Sequence, residues 1–278
     1  VAALHRCFDY NDVMGMKDEV WPSSPFFRGK KVFIKPNLVV PISKWERAST
    51  TRLELVEMAV ECLKDEGCNS IVIGDCGFKN QWAETIKSSG YESLLKRYGV
   101  QLIGLQEAEN YHKFSLIRFD NKGDYLSLFG AKFSDYVLDC DYIVNLPKLK
   151  VHKMALVTGA IKNMMGCMTN KGNMHPRGDI NILHKRLHDL YFLIRDRVKL
   201  CIMDGVEGSE YSEHYGLVKR ANAILVSDDM WDMDCCAAHI MGIYPQKVPY
   251  LNLIQRDLQQ DFPNMNCLCE FEKPVGWC

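Results

Sequence analysis

The chain has 278 residues, a formal net charge of −1, and 47 % hydrophobic against 25 % charged residues. Near-neutrality argues against general nucleic-acid binding, and the apolar runs are far too short for a membrane span. The length suits one large α/β domain or two small ones. The opening VAALHRCFDY carries no signal-peptide pattern of basic residues followed by a long apolar stretch. Cysteines are numerous and mostly sit in apolar segments (Cys62, Cys140, Cys201, Cys235, Cys236). That is the pattern of small buried hydrophobes in a reducing compartment, so the expected location is cytoplasmic.

From His5 to Gly29 the sequence is aromatic and irregular, with Pro22 and Pro25 breaking any long helix. KKVFIK reads as a strand ending at Lys35, followed by a loop that begins Pro36-Asn37. Thr51 to Glu66 predicts a helix. Thr51 and Glu54 have capping-box spacing, Leu55, Ala59, Cys62 and Leu63 recur on one face, and Gly67 stops it. SIVIGD is a buried strand ending in Asp75, and strand–helix–strand favours a parallel pair. Residues 77–99 read as helical with a break at Gly90, and VQLIGL as a further strand. FSLIRF and DNKGDYLSLF suggest a hairpin around Asn121–Gly123, which draws a sub-domain boundary near 107–140. DYIVNL returns to the sheet. Asp179 to Val198 is a helix with Leu183, Leu187, Leu190 and Ile194 on one face. KLCIMDG and AILVS are strands, and a helix follows from Asp228 to Met241. The expected fold class is α/β in a single domain over residues 1–278: a mainly parallel sheet flanked by helices, with an inserted β-hairpin.

The most distinctive stretch is NLPKLKVHKMALVTGAIKNMMGCMTNKGNMHPR, Asn145 to Arg177. No Asp or Glu lies between Asp141 and Asp179, while Lys148, Lys150, His152, Lys153, Lys162, Lys171, His175 and Arg177 all fall inside. Such a cationic cluster in a near-neutral chain is either a solvated face or a place that meets an anion. If the entry is extended, Lys148, Lys150 and His152 share one face and Leu149 and Val151 the other. ALVTGAIKNMMG then reads as a short helix, with Thr158 at its N-cap or first turn and Lys162 one turn on. The helix start beside those cations is a ready anion site.

NLPKLKVHKMALVTGAIKNMMG resembles the central signature of the DUF362 family, whose function is unknown. VFIKPNLVV, TTRLELVEMAVECLKDEG followed by IVIGD, DYIVNLPK, IMDGVEG and ILVSDDMWDMDCCAAHIMG resemble its other motifs in the same order, from about Lys31 to Gly242. Some members carry a ferredoxin-like iron–sulfur domain; this chain has no run of closely spaced cluster cysteines. HKMALVTGAIKNMMG also resembles the active-site stretch of the nickel-pincer lactate racemase family, in which a His, a turn of small residues, a Lys and a later His follow one another. His152, Lys162 and His175 fall at similar spacing. That resemblance implies Lys162 as the covalent cofactor anchor, His175 as a metal ligand, and proton transfer at a carbon beside a carboxylate. That family's earlier catalytic His has no match; the corresponding turn here is Gly74–Phe78.

In open α/β sheets ligands bind at the carboxyl ends of strands. That rule gathers Lys35, Asn37, Asp75, Cys76, Lys148 to His152, Asp204 to Glu207, Asp228 and Asp229, a mixture that suits a metal or a small anionic molecule. For each strand-end Asp the alternative is an N-cap of the next helix. His152 is the candidate general acid or base, with Lys162, Lys148 and Lys150 as further catalytic candidates. Lys35, Asn37, Thr158, Asn163 and Lys171 are the substrate-binding candidates, and His175, Asp204 and Asp75 the candidate ligands of a divalent metal or metal-containing cofactor. His184 and His188, one turn apart, lack the accompanying carboxylate of a metal motif. No P-loop, dinucleotide fingerprint or nucleophile elbow is present, so ATP and NAD use are unsupported. The leading expectation is an enzyme acting on a small carboxylate or phosphate. The rivals are an iron–sulfur or redox accessory protein with a redox partner protein, using Cys76, Cys167, Cys267, Cys269 and Cys278, and a binding protein for an anionic metabolite.

Overall fold

The structure is a computed structural model and describes residues 3–23, 26–42, 47–78, 80–107, 111–113, 126–175, 179–213 and 216–264. In chain order these form β1 (Ala3–Arg6), a 3-10 helix (Tyr10–Met16) with α1 (Lys17–Val20), β2 (Lys31–Pro36), α2 (Leu53–Asp65), β3 (Ser70–Asp75), α3 (Trp82–Ser89), α4 (Glu92–Tyr98) and β4 (Gln101–Gly104). Next come β5 (Tyr111–Lys113), β6 (Lys132–Ser134), α5 (Asp135–Leu138), β7 (Tyr142–Leu146), β8 (Lys148–His152), β9 (Leu156–Thr158) and α6 (Ala160–Asn163). The rest comprises α7 (Ile180–Ile194), β10 (Val198–Glu210), β11 (Leu217–Lys219), β12 (Ala223–Ser227), α8 (Met230–Ile240) and α9 (Pro249–Leu258).

The main sheet has the order β1-β12-β10-β7-β2-β3-β4. β10, β7, β2, β3 and β4 run parallel, while β12 and β1 close the β10 side antiparallel. Where β7 ends, β8 takes its place beside β10, also parallel, and β9 folds back antiparallel on β8. Side chains alternate across the strands. Val32 and Ile34 of β2, with Val144 of β7, pack on one face against Leu55, Val56 and Leu63 of α2. Phe33 and Ile143 pack on the other with Leu183, Leu187 and Leu190 of α7. Both faces are therefore covered, which is why β2 and β7 read as nearly continuous apolar runs.

The mixed α/β architecture and the parallel β2–α2–β3 unit agree with the sequence reading, and Gly90 breaks α3 from α4 with φ +78°. Three local expectations fail for physical reasons. Thr51 does not cap α2; Arg52 holds that position without a side-chain bond. The Thr51 hydroxyl donates to Leu146 O (2.7 Å) and accepts from Asn37 N (2.9 Å), so the sheet has taken it. The N-terminal stretch is not wholly irregular, because Ala3–Arg6 adds an antiparallel edge strand to β12. The helix expected to reach Val198 stops at Ile194, since Val198 already begins β10. The hairpin expected around 121–123 lies outside the described residues; β5 and β6 on either side of it pair antiparallel as a separate two-stranded sheet.

Candidate functional site

Parallel strands bring the carboxyl ends of β2, β3 and β7 together, and two buried ion pairs sit there. Lys35 at the end of β2 meets Asp75 at the end of β3, Nζ to Oδ1 2.8 Å. Asp75 also accepts from Leu38 N at 2.6 Å. Burial on its own pushes the Asp75 carboxyl up, but the Lys35 and Lys171 charges and these hydrogen bonds outweigh it and hold its pKa below the usual range. Lys148 meets Asp204 of β10 at 2.8 Å and donates to Tyr10 Oη at 2.8 Å, while Tyr10 donates to Asp204 Oδ1 at 3.0 Å. Burial lowers the Lys148 pKa, and the Asp204 charge offsets part of that.

Beyond these pairs opens a cleft of about 530 Å³. Asn37, Asp75, Lys150, His152, Thr158, Lys162, Asn163, Lys171 and His175 line it, joined by Glu213, Gln106, Cys76 and Met154. Lys35, Lys148 and Asp204 are not among its lining residues. Lys150 is as buried as the paired lysines, 1 % exposed against 0 % for Lys35 and Lys148. Yet its partners are neutral: it donates to Asn37 Oδ1 (3.0 Å) and Ser49 O (2.9 Å). A row of carboxamides fixes that geometry. Asn37 Nδ2 donates to Asn163 Oδ1 (2.9 Å), and Asn163 Nδ2 donates to Asn145 Oδ1 (2.8 Å) and Lys35 O (3.0 Å). Asn37 and Asn163 thus reach the cleft wall with much of their hydrogen-bonding capacity committed to one another and to lysines.

Burial, with the Lys162 and Lys171 charges beside it, pushes the Lys150 amine well below its ordinary value. Burial and then the Lys171 charge bring Lys162 to about 8. His175 falls to about 4 through burial and the same two lysines, so its ring is neutral near neutrality. It stacks on His152 with ring centroids 6.4 Å apart. Met154 N and Ala155 N donate to His152 Nδ1 at 3.1 and 3.0 Å, so the neutral ring carries its proton on Nε2, 3.8 Å from Glu213 Oε1. The cleft therefore combines three lysine amines, a directed imidazole N–H and a carboxylate whose Oε2 has no hydrogen-bond partner among the described residues.

Residues 32–239 match the family described as a domain of unknown function, DUF362. The chain belongs to the DUF362 family. A thylakoid-associated protein of Synechocystis sp. (strain ATCC 27184 / PCC 6803 / Kazusa) is 24 % identical over 233 residues, 82 % of this DUF362 chain and 68 % of the relative. A crystal structure of a Thermotoga maritima protein superposes with a TM-score of 0.52 at 12 % identity, over 91 % of this chain and 60 % of the other, and shows a shared fold. The lactate racemase apoprotein from Thermoanaerobacterium thermosaccharolyticum gives a TM-score of 0.40 at 12 % identity, over 82 % of this chain and 54 % of that one. At that level the likeness is weak and carries no mechanism across.

Two sequence expectations for this DUF362 site are corrected. The start of α6 is not an open anion site. Asp234 of α8 fills it, accepting from Ala160 N and Ile161 N and from Tyr250 Oη (2.8 Å). Gly159, not Thr158, is the N-cap residue, and a Cβ there would strike the Asp234 carboxylate. Thr158 ends β9 and donates to Val151 O at 3.4 Å. Nor do His175, Asp204 and Asp75 form a common donor set, because each carboxylate already neutralises a buried lysine. Among the described residues no group of three or more His, Cys, Asp or Glu side chains is placed to hold a metal ion. A metal-containing cofactor on those three ligands does not fit. Glu213, Asp234 and Tyr10 were missed from the sequence. Each acts on a partner far away in the chain, and none carries a local motif.

Proposed function

We propose that the cleft binds a small carboxylate- or phosphate-bearing molecule and that the chain acts on it as an enzyme by proton transfer. The observation that carries this reading is that Lys150, Lys162 and Lys171 line one cleft, and none has a carboxylate ion pair among the described residues. Lys150 is buried and Lys162 and Lys171 are half-buried; cations drawn out of water without counter-ions are costly, and an anionic ligand removes that penalty. His152 faces the same space with Nε2–H and supplies the proton, and Glu213 lies beside it to return one. Lys150, held by Asn37 and Ser49, and Lys171 stabilise negative charge on the ligand.

The redox rival has less support. Burial raises the thiol pKa of Cys76 and Cys167, which disfavours the reactive thiolate. The described cysteines are all free. Cys267, Cys269 and Cys278 lie outside the described residues. No helix among the described residues is long and apolar enough to cross a membrane.

Thermal melting of the whole chain with phosphate or lactate tests the reading. Either anion is expected to raise Tm in the native protein and to lose that effect in Lys162→Met. Equal protection of both proteins, or protection of neither, removes the assignment.

A further inference from the structure

The lysines at the strand ends are not equivalent. Lys35 and Lys148 are locked into ion pairs with Asp75 and Asp204, and the Lys150 amine donates to Asn37 and Ser49. Lys162 differs from all three. It borders the cleft, keeps partial exposure there, and its amine has no hydrogen bond or ion pair among the described residues. It sits on a turn clamped by Asp234, with Ile161, Met164 and Met165 buried beside it. Lys171 repels its charge from nearby, its own charge bears on the buried Lys150, His175 adjoins it as a neutral ring, and Glu213 and Asp75 are the surrounding carboxylates. Crowding by cations in a desolvated wall is the setting that makes a lysine amine nucleophilic.

We propose that Lys162 is a nucleophile that captures the carbonyl carbon of a small 2-oxo carboxylate as an imine. This rests on the anion-binding reading of the same cleft and narrows its ligand class. A carboxylate next to the carbonyl places negative charge on Lys171 and Lys150, which leaves the electrophilic carbon for the unengaged amine. The lone pair of the neutral Lys162 amine forms the C–N bond as the carbonyl π pair moves to oxygen. One amine hydrogen leaves nitrogen and the oxygen gains a proton through His152 Nε2, giving a carbinolamine. The second amine hydrogen then leaves nitrogen, and the hydroxyl departs with a proton as water as the C=N bond forms. Both amine hydrogens end in that water, and no oxidant or reductant enters. The depressed Lys162 pKa of about 8 keeps a useful fraction of amine neutral.

The test is reductive trapping of the whole chain with pyruvate and sodium cyanoborohydride, followed by peptide mass mapping. One reduced adduct is expected, on the peptide carrying Lys162. It should be absent with lactate in place of pyruvate and absent in Lys162→Met. Lys171→Gln, which removes a repelling charge, is expected to slow trapping several-fold at neutral pH without moving the labelled position. Mapping on the native chain decides the matter even if a variant folds poorly. No adduct, or labelling spread over surface lysines and unchanged by Lys162→Met, overturns the inference. If phosphate and lactate still protect against heat while no adduct forms, the imine fails and anion binding stands. If neither occurs, both fail.

Discussion

Two positions of β8, its first residue and its middle one, use the same residue type for opposite purposes. At Lys148 the amine meets Asp204 and Tyr10, and at Lys150 two residues on it meets a carboxamide and a carbonyl. Both are buried to the same degree. The first arrangement is complete and belongs to the fold; the second leaves a positive charge for something else to balance. Burial alone therefore does not mark a functional lysine. The partner does, and the partner is set by register: Asp204 stands opposite Lys148, Ser209 opposite Lys150.

Breaking the complete side should have the largest effect. Asp204→Asn leaves Lys148 buried without a counter-charge and is expected to cost about 3–5 kcal/mol in urea unfolding. Lys150→Met, on the incomplete side, should be close to neutral or stabilising. A comparable loss in both variants would erase the distinction. Gly159→Ala comes next. Its Cβ collides with Asp234, and a loss of about 1–3 kcal/mol is expected. Gly172→Ala, where a Cβ meets open space on the same cleft, is the matched control and should change little.

Lys162→Met has a smaller effect on stability and a specific one on pH. The folded pKa of about 8 lies below the ordinary 10.5, so between those values the unfolded chain holds the extra proton. Native stability should then rise with pH from about 8 to 10.5, and the Met variant should lack that rise. Melting curves across this range check it; an identical rise in both proteins would place the lowered pKa elsewhere.

The smallest effects oppose each other. His175, depressed from 6.5 to about 4, loses stability as pH falls through that window. Asp234, raised from 3.8 to about 7, contributes a stability that is full below 3.8 and lost as pH rises to about 7. Native melts between about pH 4 and about pH 7 should be nearly flat, because the two contributions oppose each other across that window. His175→Gln should expose a fall with rising pH, and Asp234→Asn the reverse. Flat profiles in both variants would show that neither group titrates as its surroundings indicate.

Much of this was legible in the chain. The strand-end rule gathered Lys35, Asn37 and Asp75, and the two-residue spacing from Lys148 to His152 marked an extended stretch with its cations on one face, and β8 is such a strand. Apolar periodicity placed α2 and α7 because their stripes face a core that covers both sides of the sheet. What the sequence did not show is which charge meets which. Asp234 reaches Ala160 across 74 residues and Tyr10 reaches Asp204 across 194, and nothing local signals either contact. The Thr51–Glu54 spacing misled for the same reason. A hydroxyl oxygen that could accept from a helix N–H accepts from Asn37 N instead and donates to Leu146 of a neighbouring strand.

The two tyrosine clamps lie outside the span that defines the family. Tyr10 precedes residue 32 and Tyr250 follows residue 239, yet one closes the Lys148–Asp204 pair and the other the Asp234 carboxylate under α6. Anyone trimming this protein to its family boundaries for expression or crystallisation would remove both hydroxyls and leave two buried polar groups each short of a donor. A usable minimal fragment has to keep the Tyr10–Met16 turn and run through α9 to Leu258.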